Sequence, residues 1–252
     1  MQTTLDLPDP DKLKRAFRSV AGLTEADAQI LGNDAFGILV KGKSLAAATT
    51  LQSALRGEGI ETHVVAESDL SALPATKFLN RLECGPDALI IYDPLGRSFP
   101  VDWKHIMLIA AGSVRLTDFD RIRTERRVAR YDGQGGVYTD TVVDYNTRET
   151  RNAHLLVEIV LSGAVARYSI KADASAPLLF RYLEERRTND LPENFKLLVR
   201  DLCQFAPRAA LNQGAYHLRE EQGDIFAYPT KNAFFEEITW LLWWIKQAEA
   251  QT

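Results

Sequence analysis

Residues 37–44 read Gly-Ile-Leu-Val-Lys-Gly-Lys-Ser, which satisfies G-x-x-x-x-G-K-[ST], the phosphate-binding loop of nucleotide hydrolases. In such a loop a buried strand ends before the first Gly. The four middle residues then turn their N–H groups toward phosphate, and a helix begins at the Lys-Ser. Here the middle residues are Ile38, Leu39, Val40 and Lys41, three of them apolar and two β-branched, which is strand composition. Leu31-Gly32-Asn33-Asp34-Ala35-Phe36, just upstream, does not read as a buried parallel strand. The residues therefore predict a strand over 36–41, a turn at Gly42-Lys43, and a helix capped by Ser44 and running to about Arg56. Gly57 and Gly59 stop that helix, and 60–66 reads as a second strand, giving a βαβ unit with a right-handed crossover.

Two helices precede the unit and are expected to cover its sheet. Asp9 caps the first and Pro10 suits its first turn, with Leu13, Phe17 and Val20 on one face. Thr24 and Asp27 form the capping-box pair of the second. From Thr76 the period changes to short strands at 77–84, 88–93 and 98–103, then a longer one at 105–116. After a break, 154–161 and 165–170 make a hairpin. Helices follow at 177–187, 191–206 and from about Thr230. The fold class is α+β: N-terminal helices with a βαβ unit, then a mainly antiparallel β domain with C-terminal helices. The domains are 1–74 and 75–252. Residues 118–153 have loop composition and are expected to be a mobile insertion in the second.

Ala88-Leu89-Ile90-Ile91-Tyr92-Asp93, the turn at Gly96-Arg97 and Phe99-Pro100-Val101-Asp102-Trp103-Lys104-His105-Ile106 resemble the strands of a pleckstrin-homology (PH) or GRAM-type barrel. The resemblance covers residues 77–187, preceded by a ferredoxin-like βαβ half, and implies a binding or scaffolding module. The turn Gly85-Pro86-Asp87 lacks the basic cluster of phosphoinositide-binding members, so a lipid role is not implied.

The chain has 252 residues, a net charge of -4 and a pI near 5.7, so no global positive field draws it to nucleic acid or an anionic membrane. Cys84 and Cys203 form no C-x-x-C and suit a reducing compartment. The apolar runs 106–111 and 240–245 fall far short of the ~20 residues that span a bilayer. A cytoplasmic address is expected. His63, His105, His154 and His217 lack metal-ligand spacing, and no G-x-S-x-G occurs. Gly133-Gln134-Gly135-Gly136 fails as a dinucleotide loop at Tyr138, and Asp144-Tyr145-Asn146 fails as a Ca²⁺ loop at Arg148 and Glu149. No catalytic, cofactor-binding or metal residue is assigned.

The resulting expectation is a non-enzymatic interaction or scaffolding protein. Its partner surface is the C-terminal aromatic helix, where Trp240, Trp243 and Trp244 span more than one helix face. That helix is expected between two domains of its own chain or against a protein partner or second copy. One rival is a nucleotide hydrolase using Lys43 and Ser44, with Asp93 near the metal. The other is an anion or nucleic-acid binder working through Arg121, Arg123, Arg126, Arg127 and Arg130.

Overall fold

Asp9 and Pro10 start the first helix as their chemistry requires. Asp9 accepts from the Asp11 N–H at 2.8 Å, and α1 runs over Pro10–Arg18. Thr24 and Asp27 close the reciprocal capping box of α2, Glu25–Asp34. Ser44 accepts from the Ala47 N–H to begin α3, Leu45–Gly57. The computed structural model describes residues 1–2, 9–131, 137–173 and 177–250. Within these it omits the side chains of 32–34, 117–122, 129–131, 137–140, 148–151 and 177. Leu13, Phe17, Ala28, Leu39, Leu51 and Leu55 pack the three helices into one apolar cluster.

Among the described residues the βαβ unit expected around α3 is not formed, and neither 36–41 nor 60–66 is a strand. Residues 36–41 and 60–66 flank the helix without a ladder between them, because Gln2 occupies the backbone groups they would share. Gln2 N donates to Gly37 O at 2.8 Å and Gln2 Oε1 accepts from Gly37 N at 2.8 Å. On its other side Gln2 makes an isolated antiparallel bridge with Thr62, and His63 N donates to Met1 O at 2.7 Å. The α+β class stands without that unit.

The strands lie in two sheets. β1 is Thr76–Phe78, and β2 (Leu82–Cys84), β3 (Ala88–Tyr92) and β4 (Ser98–Asp102) form a three-stranded antiparallel meander. β5 (Ile106–Tyr131), β6 (Val137–Leu161) and β7 (Arg167–Ala172) are the centre of the larger sheet, ordered β1-β7-β6-β5. β7 is antiparallel to β6 and parallel to β1. Beyond β7, Pro177–Arg186 is a 3₁₀ segment and α4 spans Leu191–Phe205. Then come β8 (Ala210–Leu211), α5 (Gln213–Arg219), β9 (Ala227–Tyr228) and α6 (Lys231–Ala250). β8 and β9 both add to β5 in parallel. The single predicted strand at 77–84 is broken into β1 and β2. The main core joins Leu89, Ile109, Ile159 and Ile170 of the sheets to Phe195, Leu198 and Leu202 of α4.

Two compact units result: Met1–Val114 with His154–Thr252, and Arg115–Ala153. The boundary expected at residue 74 falls inside the first. The second corrects the loop reading of 118–153, since β5 continues to Tyr131 and β6 starts at Val137, with 132–136 outside the described residues. Neighbouring strands joined by so few residues run antiparallel, because a parallel crossover needs a dozen or more. The alternation of apolar and polar residues that marks a strand reports one buried face. Residues 123–127 are exposed throughout, so that signal is missing here. What remained legible was β-former content: Thr139, Thr141, Val142, Val143, Tyr145 and Thr147.

The C-terminal aromatics are taken up by their own unit. Phe234, Ile238, Trp240, Leu242 and Trp243 are buried. Trp240 Nε1 donates to Gln2 O at 2.8 Å, His63 lies 5.7 Å from the Trp243 ring, and Tyr228 lies 5.1 Å from Phe234. The sequence left a partner chain as one way to cover this helix. The N-terminal segments on one side and β9 on the other supply that cover. Each such buried apolar side chain contributes about 1.5–3 kcal/mol. No described helix is long and apolar enough to cross a membrane.

Candidate functional site

A cavity of about 620 Å³ opens beside α3. Ser44 sets the start of the helix, and the 3.6-residue period then brings Ala48, Leu51, Gln52 and Leu55 to one face, all lining the cavity. The facing walls are 38–43 and 62–67, beside Gln2, which bonds to Gly37 and bridges to Thr62, with Asp69 and Leu70 beyond. Ile38, Leu39, Leu51, Leu55 and Thr62 are buried. Gln52 Nε2 reaches across to Thr62 O at 2.6 Å, pinning the helix to the second wall. The Thr62 hydroxyl is buried without a hydrogen-bond partner. Lys43 lines both this cavity and a smaller one of about 310 Å³ beside α2.

The phosphate-loop string thus forms a largely apolar cavity wall. Gly37 has φ +80, and an added Cβ would sit 2.3 Å from Trp240 Cγ, so its backbone is closed over by an indole. Its N–H is taken by Gln2. Gly42 N donates to Glu67 Oε1 at 3.3 Å, where a carboxylate stands in the place of phosphate. Lys41 pairs with Glu236 at 2.7 Å, and Ser44 caps α3. Asp93 closes its own turn, accepting from Leu95 N and Arg97 N, both at 2.9 Å, and from Arg97 Nε at 2.7 Å. Of the hydrolase residues, only Lys43 faces a cavity with its charge unpaired.

The arginine reading meets similar neutralisation. Arg123 pairs with Glu125 at 2.5 Å and Arg126 with Asp144 at 3.3 Å. The side chains of Arg121 and Arg130 lie outside the described residues, and Arg127 is exposed.

Buried chemistry elsewhere is tied into the fold. Burial pushes the thiols of Cys84 and Cys203 up to about 12, which leaves them protonated and poorly nucleophilic. Burial also raises the carboxyls of Glu158 and Glu237 to about 7. Glu237 accepts from Gln213 N at 2.6 Å and from the Tyr228 hydroxyl. Glu158 accepts from Ser169 Oγ at 2.7 Å beside Arg167. Neither lines the cavities beside α3 and α2. Among the described residues no three His, Cys, Asp or Glu side chains are grouped to hold a metal ion.

Sequence reasoning reached Ile38, Leu39, Val40 and Lys43 but for a different role. It missed Thr62, Gln52 and the cavity itself, because nothing in the local pattern reports that Gln2 bonds to Gly37 and bridges to Thr62. No protein-family model, no curated protein and no solved structure matches this chain.

Proposed function

We propose that this chain is a non-enzymatic binding protein whose site is the cavity beside α3. One observation carries the reading. A cavity of about 620 Å³, within the range of small-molecule sites, is walled by apolar side chains with a few polar atoms placed among them. Apolar contact with a small ligand is the recognition these side chains support. The PH-like resemblance of residues 77–187 points the same way, toward binding and scaffolding. The test is a titration of small aliphatic and aromatic compounds followed by amide NMR. Shifts should concentrate in 38–43, α3 and 62–70, and Ala48→Phe, which fills the cavity from the helix, should abolish them. Shifts that scatter over the molecule, or that survive Ala48→Phe, would refute the reading.

A second reading, association with a protein, is favoured by the second unit. Among the described residues, the outer edge of β5 pairs no further than Val114 and that of β6 begins at Leu155. A two-stranded ribbon is marginal by itself in water, and open edges accept further strands. Sedimentation of the intact chain across a concentration series checks this. A monomer at every concentration excludes self-pairing as the partner mode.

A further inference from the structure

The two strands of the second unit differ in how their outer edges are built. Along β5, residues 123–127 read Arg-Thr-Glu-Arg-Arg, and all of them are exposed. Charged side chains on an edge strand oppose the addition of another strand. Along β6, residues 141–147 read Thr-Val-Val-Asp-Tyr-Asn-Thr, a run of β-formers with one charge, and Asp144 is already paired with Arg126 at 3.3 Å. Val143 is 36 % exposed and Tyr145 56 %. β7 pairs with β6 only over 155–160, so among the described residues no strand covers the outer edge of 141–147. The backbone of that edge is set to receive one. Leu161 N donates to Ala166 O at the β7 side, and in an antiparallel ladder every second residue turns its N–H and C=O the same way. Counting back along β6 gives Thr141, Val143, Tyr145 and Thr147.

We infer that the outer edge of β6 pairs with the same edge of a second copy, antiparallel about a twofold axis at Val143. The inference rests on the reading of the second unit as an association surface. Two ribbons then become one four-stranded sheet, which removes the marginal stability of a lone hairpin. The pairing closes on itself, since each β6 uses its one outer edge and each β5 stays guarded by charge. In that register Val143 lies opposite its own copy, Thr141 opposite Tyr145, and Asp144 opposite Val142. An aromatic opposite a β-branched residue is a favourable cross-strand pair, and among the described residues no like charges meet. An axis at residue 144 would instead set Asp144 against itself. Pairing of β5 with β5 would bring two arginine-rich runs together, and pairing of β5 with β6 would build an open chain of copies.

The test uses the intact chain, with sedimentation equilibrium and amide hydrogen exchange read over a concentration series. A dimer should form and grow no further. As it forms, the amides of Thr141, Val143, Tyr145 and Thr147 should gain protection about tenfold, while those of Val142, Asp144 and Asn146, which face β5, stay unchanged. Val143→Lys sets two like charges opposite each other and should weaken the dimer about tenfold. Thr124→Lys adds the same charge to β5 and should weaken it less than about twofold. Both variants should keep the urea midpoint of the dilute unmodified chain, which separates a lost dimer from a lost fold. The exchange pattern of the unmodified chain decides the same question without a substitution. If a dimer forms and Val143→Lys leaves it intact, or the four outward amides gain no protection, the edge assignment is wrong while association stands. Equal weakening by Thr124→Lys, or assemblies larger than a dimer, would overturn it in the same way. A monomer at every concentration refutes both the pairing and self-association.

Discussion

Among the described residues two glutamates are buried, and they differ in what surrounds them. Glu237 is fully buried, and both its oxygens are occupied. Oε1 accepts from Gln213 N, and Oε2 accepts from the Tyr228 hydroxyl. Tyr228 in turn accepts from Asn212 Nδ2 at 2.8 Å, and Asn212 Oδ1 accepts from Ala111 N at 2.9 Å and Ala215 N at 2.8 Å. One connected set of hydrogen bonds therefore ties β5, the start of α5, β9 and α6 together. Glu158 is equally buried, but its Oε2 has no hydrogen bond, and Arg167 Nε stands off at 3.6 Å, itself without one. Burial raises both carboxyls to about 7. Equal titration thus conceals unequal construction. A saturated network fixes one arrangement of four elements, whereas an unsaturated ion pair bears desolvation without full return.

The largest effect that could break this contrast lies at Gly214, in the Glu237 network. An added Cβ would sit 1.9 Å from the Ala111 carbonyl oxygen, which is backbone and cannot rotate away. Gly214→Ala should therefore cost about 4 kcal/mol or more in urea unfolding. A loss below about 1 kcal/mol would mean that α5 shifts freely and the network is not rigid.

Next in size is the pH dependence. Both carboxyls go from 4.5 in the unfolded chain to about 7 when folded, so the native state binds more protons between those values. Their contribution is complete below pH 4.5 and is lost as pH rises through about 7. Each accounts for about 3 kcal/mol over that window. Denaturant titrations from pH 5 to pH 8 should show stability falling with pH, and Glu158→Gln and Glu237→Gln should each flatten the slope. Stability that rises with pH, or a slope neither variant alters, contradicts the assignment.

The smaller effects test the cost of unsatisfied atoms. Thr62→Val removes an unpartnered hydroxyl and should raise stability by about 1 kcal/mol in the absence of ligand. The double change Glu158→Met with Arg167→Met should leave stability unaltered or raise it by about 1 kcal/mol. Measured destabilisation of several kcal/mol there would show that the Glu158 pair is as well built as the Glu237 network, and the contrast would disappear.

Much of the fold was legible where the information is local. Asp9, the Thr24–Asp27 pair and Ser44 name the starts of three helices, since a cap and its N–H groups lie within three residues of each other. The strands β3 and β4 and the helices α4 and α6 follow from apolar runs punctuated by Gly, Pro and Asp. The strands of residues 115–153 were not legible where residues 123–127 are exposed throughout, because an exposed run carries no apolar alternation to read. The short elements β8, α5 and β9 escaped for a related reason. Each is held by contacts with β5 about one hundred residues away and not by its own pattern.

The candidate site divides along the same line. By itself the sequence determined that α3 begins at Ser44 and that Ile38, Leu39 and Val40 are too apolar for a phosphate turn. It also determined that the C-terminal helix must be covered on more than one side. Only the tertiary structure decided what lies between the walls. Gln2 takes the backbone groups of Gly37 and bridges to Thr62, Trp240 closes over Gly37, and the space left beside α3 remains open. Caps and periodicity are written in neighbouring residues, whereas a cavity is the volume that distant segments fail to fill.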